Sequence, residues 1–276
     1  MSETPRAIEL EIEVPGTPEE VWRAIATGPG ISSWYVPHQV EERAGGTARA
    51  SFGAGPEMEV DGRVVVWEPP HRIVLDGGEG DPGLAFEWLV EARDGGSCVV
   101  RLVNTGFGEG GPWDDQYDDL YRGWQLFMAN LRLHLEHFAG RTATAALPMT
   151  SWQGDSGSAW RALAGALGLP VEPTVGERVR LVPADGGGGG GGGDGGGGGG
   201  DGVALGGTVL FVEPGRVALL LDEPAPGTGF IAAEGHGGRC ALSVWAYLYG
   251  EDRDRLAAEF TTTWQRWLDS HLAAPA

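Results

Sequence analysis

Residues 8–14, IELEIEV, alternate strictly: Ile8, Leu10, Ile12 and Val14 fall on one face, and Glu9, Glu11 and Glu13 on the other. A period of two with charge confined to one side predicts a half-buried strand. The next stretch, PGTPEEVWRAIAT, changes period. Val21, Trp22 and Ile25 form a buried helical stripe, Thr17 can cap it, and Pro18 suits the first helical position. Glu20, three residues after Thr17, completes a capping box. GPGISSWY (28–35) predicts a break and a short second helix. From Pro37 to Thr105 the period of two returns between Gly-rich turns. Strands are expected near 38–43, 47–52, 58–67, 72–76, 84–92 and 98–104, joined with the first into a seven-stranded antiparallel sheet. YDDLYRGWQLFMANLRLHLEHF (117–138) then places Leu120, Trp124, Phe127, Met128, Leu131 and Leu135 at helical spacing, which predicts one long amphipathic helix.

The second half repeats the first. GRVVVWEPPHRIVLD (62–76) returns as GTVLFVEPGRVALLLD (207–222). EVWRAIATGPG (20–30) returns as SAWRALAGALG (158–168), and GGSCVVRL (95–102) as GGRCALSV (237–244). RGWQLFMANLRLHL (122–135) returns as TTWQRWLDSHL (262–272). Echoes that keep their order are the signature of a repeated structural unit, and a tandem duplication is expected. Two domains follow: an intact one at 1–142, a linker at 143–157, and a degenerate copy at 158–276. The copy's first strand is not convincing; RTATAALPMTSW (141–152) either supplies it or it is lost. Residues 186–202, GGGGGGGGDGGGGGGDG, have no side chains to bury and are expected to be a disordered insertion between strands. A phosphate-binding loop would need Lys and Ser/Thr at a helix start, and this run has neither.

Composition narrows the function classes. The chain has 276 residues, 41% hydrophobic and 21% charged, an ordinary globular balance. Its net charge is -20 and all 19 basic residues are arginine. That field disfavours nucleic acid and anionic membrane as partners, since both are bound through cationic contacts to phosphate. No run of about 20 apolar residues is present for a membrane span. The first residues do not read as a secretory signal, and a cytoplasmic protein is expected. Two cysteines, Cys98 and Cys240, make no disulfide framework. Their equivalent places in the two copies suit small structural residues on strands.

The phrases TPEEVWRAIATGPGISSWY, GRVVVWEPPHRIVL, GGSCVVRLVNTGF and GWQLFMANLRLHLE, in this order, resemble a family within the SRPBCC (START-like) superfamily. It is the family named after the C-terminal domain of the activator of the heat-shock protein 90 ATPase. The resemblance covers nearly all of the first half. It implies an α+β helix-grip fold in each copy: a curved antiparallel sheet wrapped around a long C-terminal helix, with a cavity between them. Family phrases place an aromatic residue soon after the fifth strand, where this chain reads LDGGEG (75–80). The leading function is a non-enzymatic START-like module that holds an apolar small molecule in the first domain. The alternative is a chaperone-interacting protein that stimulates a heat-shock protein 90 type ATPase. A polyketide cyclase/aromatase-like enzyme is a lower alternative, because no clear acid–base constellation is visible. No cofactor is expected.

Alternation selects the cavity candidates. Phe86, Trp88 and Val90 share a face of one strand, and Leu102 and Asn104 a face of another. Tyr117, Trp124, Phe127 and Met128 of the long helix can meet them, and Trp34, Phe52 and Met58 are further candidates. Such residues equally make a filled core; a pocket would be apolar with few polar groups. Asn104 is the polar exception, suited to orient a ligand or to bond backbone at the strand end. Asp114, Asp115, Asp118 and Asp119 read as helix-capping carboxylates rather than a calcium loop. His134 and His137 lack a third ligand at a telling spacing, so no metal is expected. GDSG (154–157) lacks the accompanying features of a trypsin-like nucleophile and reads as a helix cap.

Overall fold

The computed structural model describes residues 6–53, 55–77, 83–107, 111–183, 203–236 and 238–272; side chains are not described at 111–116, 119 and 236. The polyglycine run and the second half of LDGGEG, 78–80, lie outside the described residues. The chain divides into two compact units, Met1–Ala145 and Ala146–Ala276. Each is a curved antiparallel sheet with a long C-terminal helix, the helix-grip arrangement.

In the first unit, β1 (Ile8–Pro15) leads into α1 (Pro18–Ala26) and α2 (Gly28–Ile31). Six strands follow: β2 (His38–Val40), β3 (Thr47–Ser51), β4 (Glu59–Glu68), β5 (Arg72–Asp76), β6 (Ala85–Arg93) and β7 (Ser97–Thr105). The sheet order is β1-β7-β6-β5-β4-β3-β2, so consecutive strands pair as hairpins and β1 closes against β7. The long helix α3 spans Gly111–His137. It starts six residues before the expected 117. Of the four aspartates expected to cap it, Asp114 and Asp115 fall inside its first turns, Asp118 is exposed a turn further in, and three of the four side chains lie outside the described ones.

The entry to α1 shows why the sequence folds as it does. Gly16 takes φ +117°, a value L side chains rarely adopt, and turns the chain out of β1. The Thr17 hydroxyl then accepts from the Glu20 amide at 3.3 Å, and the Thr17 amide donates to Glu20 Oε2 at 2.9 Å. The backbone bonds hold the Glu20 carboxyl below its ordinary value. Thr17→Ala is expected to destabilise the unit by about 1 kcal/mol. Hydrogen exchange of the α1 amides measures this, and unchanged protection would refute the cap.

The second unit repeats this construction in reduced form. Its strands β8 (Thr144–Ala146) and β9 (Met149–Gln153) both run along β14 (Arg239–Leu248). Together they supply the first strand whose presence the sequence left open, broken by Pro148, which has no amide to donate. Residues 143–157, expected to be a linker, are therefore mostly sheet, and the second unit begins ahead of residue 158. The helix α4 (Ser156–Leu167) precedes β10 (Arg178–Leu181), β11 (Leu205–Glu213), β12 (Arg216–Glu223), β13 (Gly227–His236) and β14, and α5 (Arg253–His271) closes the unit. Among the described residues, the order β10-β11-β12-β13-β14-β8 has no counterpart of β2, and α4 is followed by no counterpart of α2.

Local geometry repeats along with sequence. A bulge lies between Val64 and Val66 in the β4–β5 hairpin and between Val209 and Phe211 in the β11–β12 hairpin, the same place in the repeated phrase. Gly16 donates its amide to Gly96 O at 3.0 Å, and Gly154 to Gly238 O at 2.9 Å. The Cys98 thiol donates to Gly16 O and the Cys240 thiol to Gly154 O, at 3.3 and 3.4 Å. Both cysteines are buried and neither is in a disulfide among the described residues. The GDSG stretch is the second copy of this corner: Gly154 turns the chain at φ +137°, and Asp155 Oδ1 caps α4 by accepting from the Ser158 amide at 2.9 Å.

Candidate functional site

Strand register sorts the first sheet into two chemically distinct faces. Ile8, Asn104, Phe86 and Leu75 lie in one cross-strand row, and Val40, Ala48, Gly62 and Val64 fall on the same side. This is the face that meets α3, through Trp124 against Phe86 and Trp88. The acidic and basic residues of the strands, among them Glu9, Glu11, Arg72, Glu87 and Arg101, fall on the opposite side. Apart from the Cys98 thiol, His38 on β2 and Asn104 on β7 are the polar side chains of the inner face among the described strands. Both stand at the same end of the sheet, where β3 turns into β4 and β7 leads to α3.

Aromatic rings join these two polar residues. Asn104 sits directly across from Phe86. The Phe86 ring lies 5.6 Å from Trp124, Trp124 lies 4.9 Å from Tyr35, and Tyr35 lies 5.3 Å from His38. Phe127 meets Tyr35 edge-on at 4.4 Å, and Trp88 packs between Trp34 and Trp124, 5.5 Å from each. Trp34 is anchored beneath: its Nε1 donates to Ala24 O at 2.8 Å, and its carbonyl accepts from Asn130 Nδ2 at 2.8 Å.

The expected residues divide three ways. Trp34, Trp88, Val90, Leu102, Asn104, Trp124, Phe127 and Met128 are buried, and Phe86 is half-buried on the same face. Tyr117 is half-buried, with its hydroxyl donating to Ala7 O at 3.1 Å and the Arg6 guanidinium 3.8 Å from its ring. Phe52 and Met58 do not line an interior wall: they are 40% and 37% exposed. Alternation gives Phe52 the inward direction, but β3 ends at Ser51, so Phe52 projects past the last paired residue. With Val60 the two make an apolar rim at the open end of the face, and the Phe52 ring touches Tyr35 at 6.2 Å. Tyr35 and His38 were missed: Tyr35 lies in the short passage between α2 and β2, and His38 opens β2, a strand of three residues.

The polar atoms of the site are unevenly satisfied. Asn104 is fully buried, and its Nδ2 donates to Ala85 O at 3.0 Å, the bond expected at the strand end. Its Oδ1 has no partner among the described residues, and neither does Nε1 of Trp124, which is 4% exposed. An unpaired buried donor or acceptor costs about 1–3 kcal/mol. The Nδ1 of His38 faces Val36 O at 2.8 Å, so Nδ1 carries the hydrogen and Nε2 is the lone-pair nitrogen. Burial pushes the His38 imidazole below its ordinary value and the Tyr35 phenol above its own, so both are neutral near pH 7. The face can therefore exchange hydrogen bonds with a neutral partner, but it offers an anion no cation.

The second unit closes the same space. Counting from the paired cysteines, Ala246 takes the place of Asn104, Gly229 that of Phe86, and Ile231 that of Trp88. Leu221 fills the gap, its Cδ2 2.9 Å from where a Cβ on Gly229 would stand. Trp264, the counterpart of Trp124, donates its Nε1 to Val203 O at 2.9 Å. The remaining histidines make no centre: His134 is buried and His137 exposed, and no metal-holding group of three ligands occurs among the described residues. No helix among the described residues is long and apolar enough to cross a membrane.

The family model described as "Activator of Hsp90 ATPase homolog 1-like protein" matches residues 15–136, from the end of β1 to the end of α3. The match spans most of the first unit. An uncharacterized protein of Mycobacterium tuberculosis is 29% identical over 112 residues, covering 36% of this chain and 76% of its own length. Among solved structures, the Aha1 dimer from Colwellia psychrerythraea aligns at 19% identity with a TM-score of 0.41, covering 48% of this chain and 97% of that one. The di-domain ARO/CYC BexL from the BE-7585A biosynthetic pathway aligns at 17% identity with a TM-score of 0.42, covering 98% of this chain and 100% of that one. At such identities these are likenesses of fold and not of chemistry.

Proposed function

We propose that the first unit is a non-enzymatic holder of an apolar small molecule, taken between the inner face of the sheet and α3. One observation carries this reading. The first unit keeps a ring-lined inner face that reaches the surface at Tyr35 and the Phe52–Met58–Val60 rim, whereas the second unit replaces the same positions with Gly229 and Ala246 and packs Leu221 into the space. A wall of rings with few, fixed polar groups is the usual make-up of a small-molecule site. No carboxylate stands on the inner face among the described strands, so His38 has no acid partner there for proton-transfer catalysis.

Native mass spectrometry of the full chain tests the reading. A small-molecule adduct is expected on the wild type, as purified or after equilibration with 2-naphthol. It should be lost from Ala50→Trp, which places a bulky ring on the inner face beside His38. A bare polypeptide mass for the wild type under both conditions would sink the proposal. A second reading rests on the description of the matching family: protein contacts that stimulate a heat-shock protein 90 type ATPase. Titration of the protein into the host chaperone's ATPase assay separates the two, and no stimulation at saturation removes the second.

A further inference from the structure

We infer that the molecule held by the first unit carries a neutral ring hydroxyl, which donates to Asn104 Oδ1 and accepts from Trp124 Nε1. The inference rests on the proposal that this unit holds a small molecule, and it names that molecule's polar handle. Two buried side chains each keep one unused hydrogen-bonding atom, and the two are opposite in kind. Asn104 spends Nδ2 on Ala85 O and keeps an acceptor, while Trp124 keeps a donor. Both flank one ring: Asn104 faces Phe86 across the β6–β7 pair, and Trp124 stacks obliquely on Phe86 at 5.6 Å.

A hydroxyl is the group that donates once and accepts at the same oxygen. A carboxylate or phosphate would meet the Asn104 oxygen as a second acceptor and find no cation on this face; burying it unpaired is prohibitive. A plain hydrocarbon would leave both atoms unpaired. Carried on an aromatic ring, the hydroxyl lets the rest of the molecule lie among Phe86, Trp88 and Trp124. The second unit supports the assignment by contrast. There the acceptor is deleted at Ala246, and the indole that takes the place of Trp124 donates within the protein to Val203 O.

Equilibrium dialysis of the full chain against 2-naphthol, naphthalene and 2-naphthoate tests this. The wild type should bind 2-naphthol at least tenfold more tightly than naphthalene, a difference of about 1.4 kcal/mol, and 2-naphthoate most weakly. Trp124→Phe keeps a ring and removes the donor; Asn104→Leu removes the acceptor. Each should bring the ratio of 2-naphthol to naphthalene close to one, whatever it does to the affinity for naphthalene itself. Circular dichroism checks that each variant is folded, and should Asn104→Leu fail to fold, Trp124→Phe decides alone. Equal affinity of the wild type for 2-naphthol and naphthalene, or a ratio that Trp124→Phe leaves unmoved, overturns the hydroxyl assignment and leaves the holder reading standing. Binding of none of the probes overturns the holder reading and the assignment with it.

Discussion

Replacing Trp34 with alanine is expected to destabilise the first unit by about 3–5 kcal/mol, the range for deleting a large aromatic side chain from a packed core. Trp34 is among the largest fully buried side chains and touches both elements that make the site. Its ring meets Trp88 of the sheet edge-on at 5.5 Å and stacks on Tyr35 at 5.8 Å. Its Nε1 ties the residue to α1 through Ala24 O, and its carbonyl ties it to α3 through Asn130 Nδ2. The neighbouring Ser33 hydroxyl accepts from the Ala143 amide at 2.9 Å, so the same turn also holds the chain beyond α3. Surrounding rings cannot collapse into a gap that size without breaking their edge-on contacts, so most of the cavity cost persists. Trp34→Phe, which keeps a ring and loses the donor, should cost clearly less. Native-state hydrogen exchange of the β6 and β7 amides reads the loss for this unit separately, which a single unfolding curve for a two-unit chain does not. A loss below about 1 kcal/mol for Trp34→Ala would show that the aromatic row is not a packed core element.

The strands that carry this core were legible in the sequence because each of them buries one face. The alternation at 8–14, the repeated hairpin phrase and the paired cysteines placed seven strands and the order of the second copy, with bounds within a residue or two except for β2, which ends at Val40 and not at 43. Where the sequence misled, the cause is local. Pro148 cuts the second copy's first strand into pieces of three and five residues, too short for a period to show. The start of α3 reads GPWDDQ, which looks like a loop; yet Pro112 is tolerated in a first turn, where its missing amide costs nothing. Phe52 has the right parity and the wrong height, because parity says nothing about where a sheet ends. Tyr35 carries no pattern at all, and His38 opens a strand of only three residues. Tyr35 becomes part of the site because the fold lays α3 across the sheet and brings Trp124, 89 positions further on, against its ring. The unpaired atoms of Asn104 and Trp124 are likewise invisible in sequence, since a residue type does not reveal which of its hydrogen bonds the fold will use.

Lowering the pH from 7 to 4 is expected to cost the first unit about 3 kcal/mol of stability, with His134 as the chief source. His134 is 2% exposed on the buried side of α3, and burial alone pushes its imidazole from 6.5 down to about 4. The folded state therefore keeps His134 neutral at pH values where the unfolded chain has already taken up the proton. Stability is fully present above 6.5, falls as the pH drops below it, and has lost this contribution once the folded value near 4 is passed. The buried imidazole of His38, shifted in the same direction by the same cause, adds to the fall in the same window. The exposed Glu20 carboxyl, held low by its bond to the Thr17 amide, begins to lose its contribution only as the pH falls through the ordinary carboxylate value. His134→Gln removes the ionisable group, and its stability should vary much less between pH 6.5 and 4 whatever its value at pH 7. The measurement is hydrogen exchange of the buried β6–β7 amides across that range, corrected for intrinsic exchange. A wild-type slope equal to that of His134→Gln would mean that the imidazole titrates alike in both states, and that this end of α3 admits solvent.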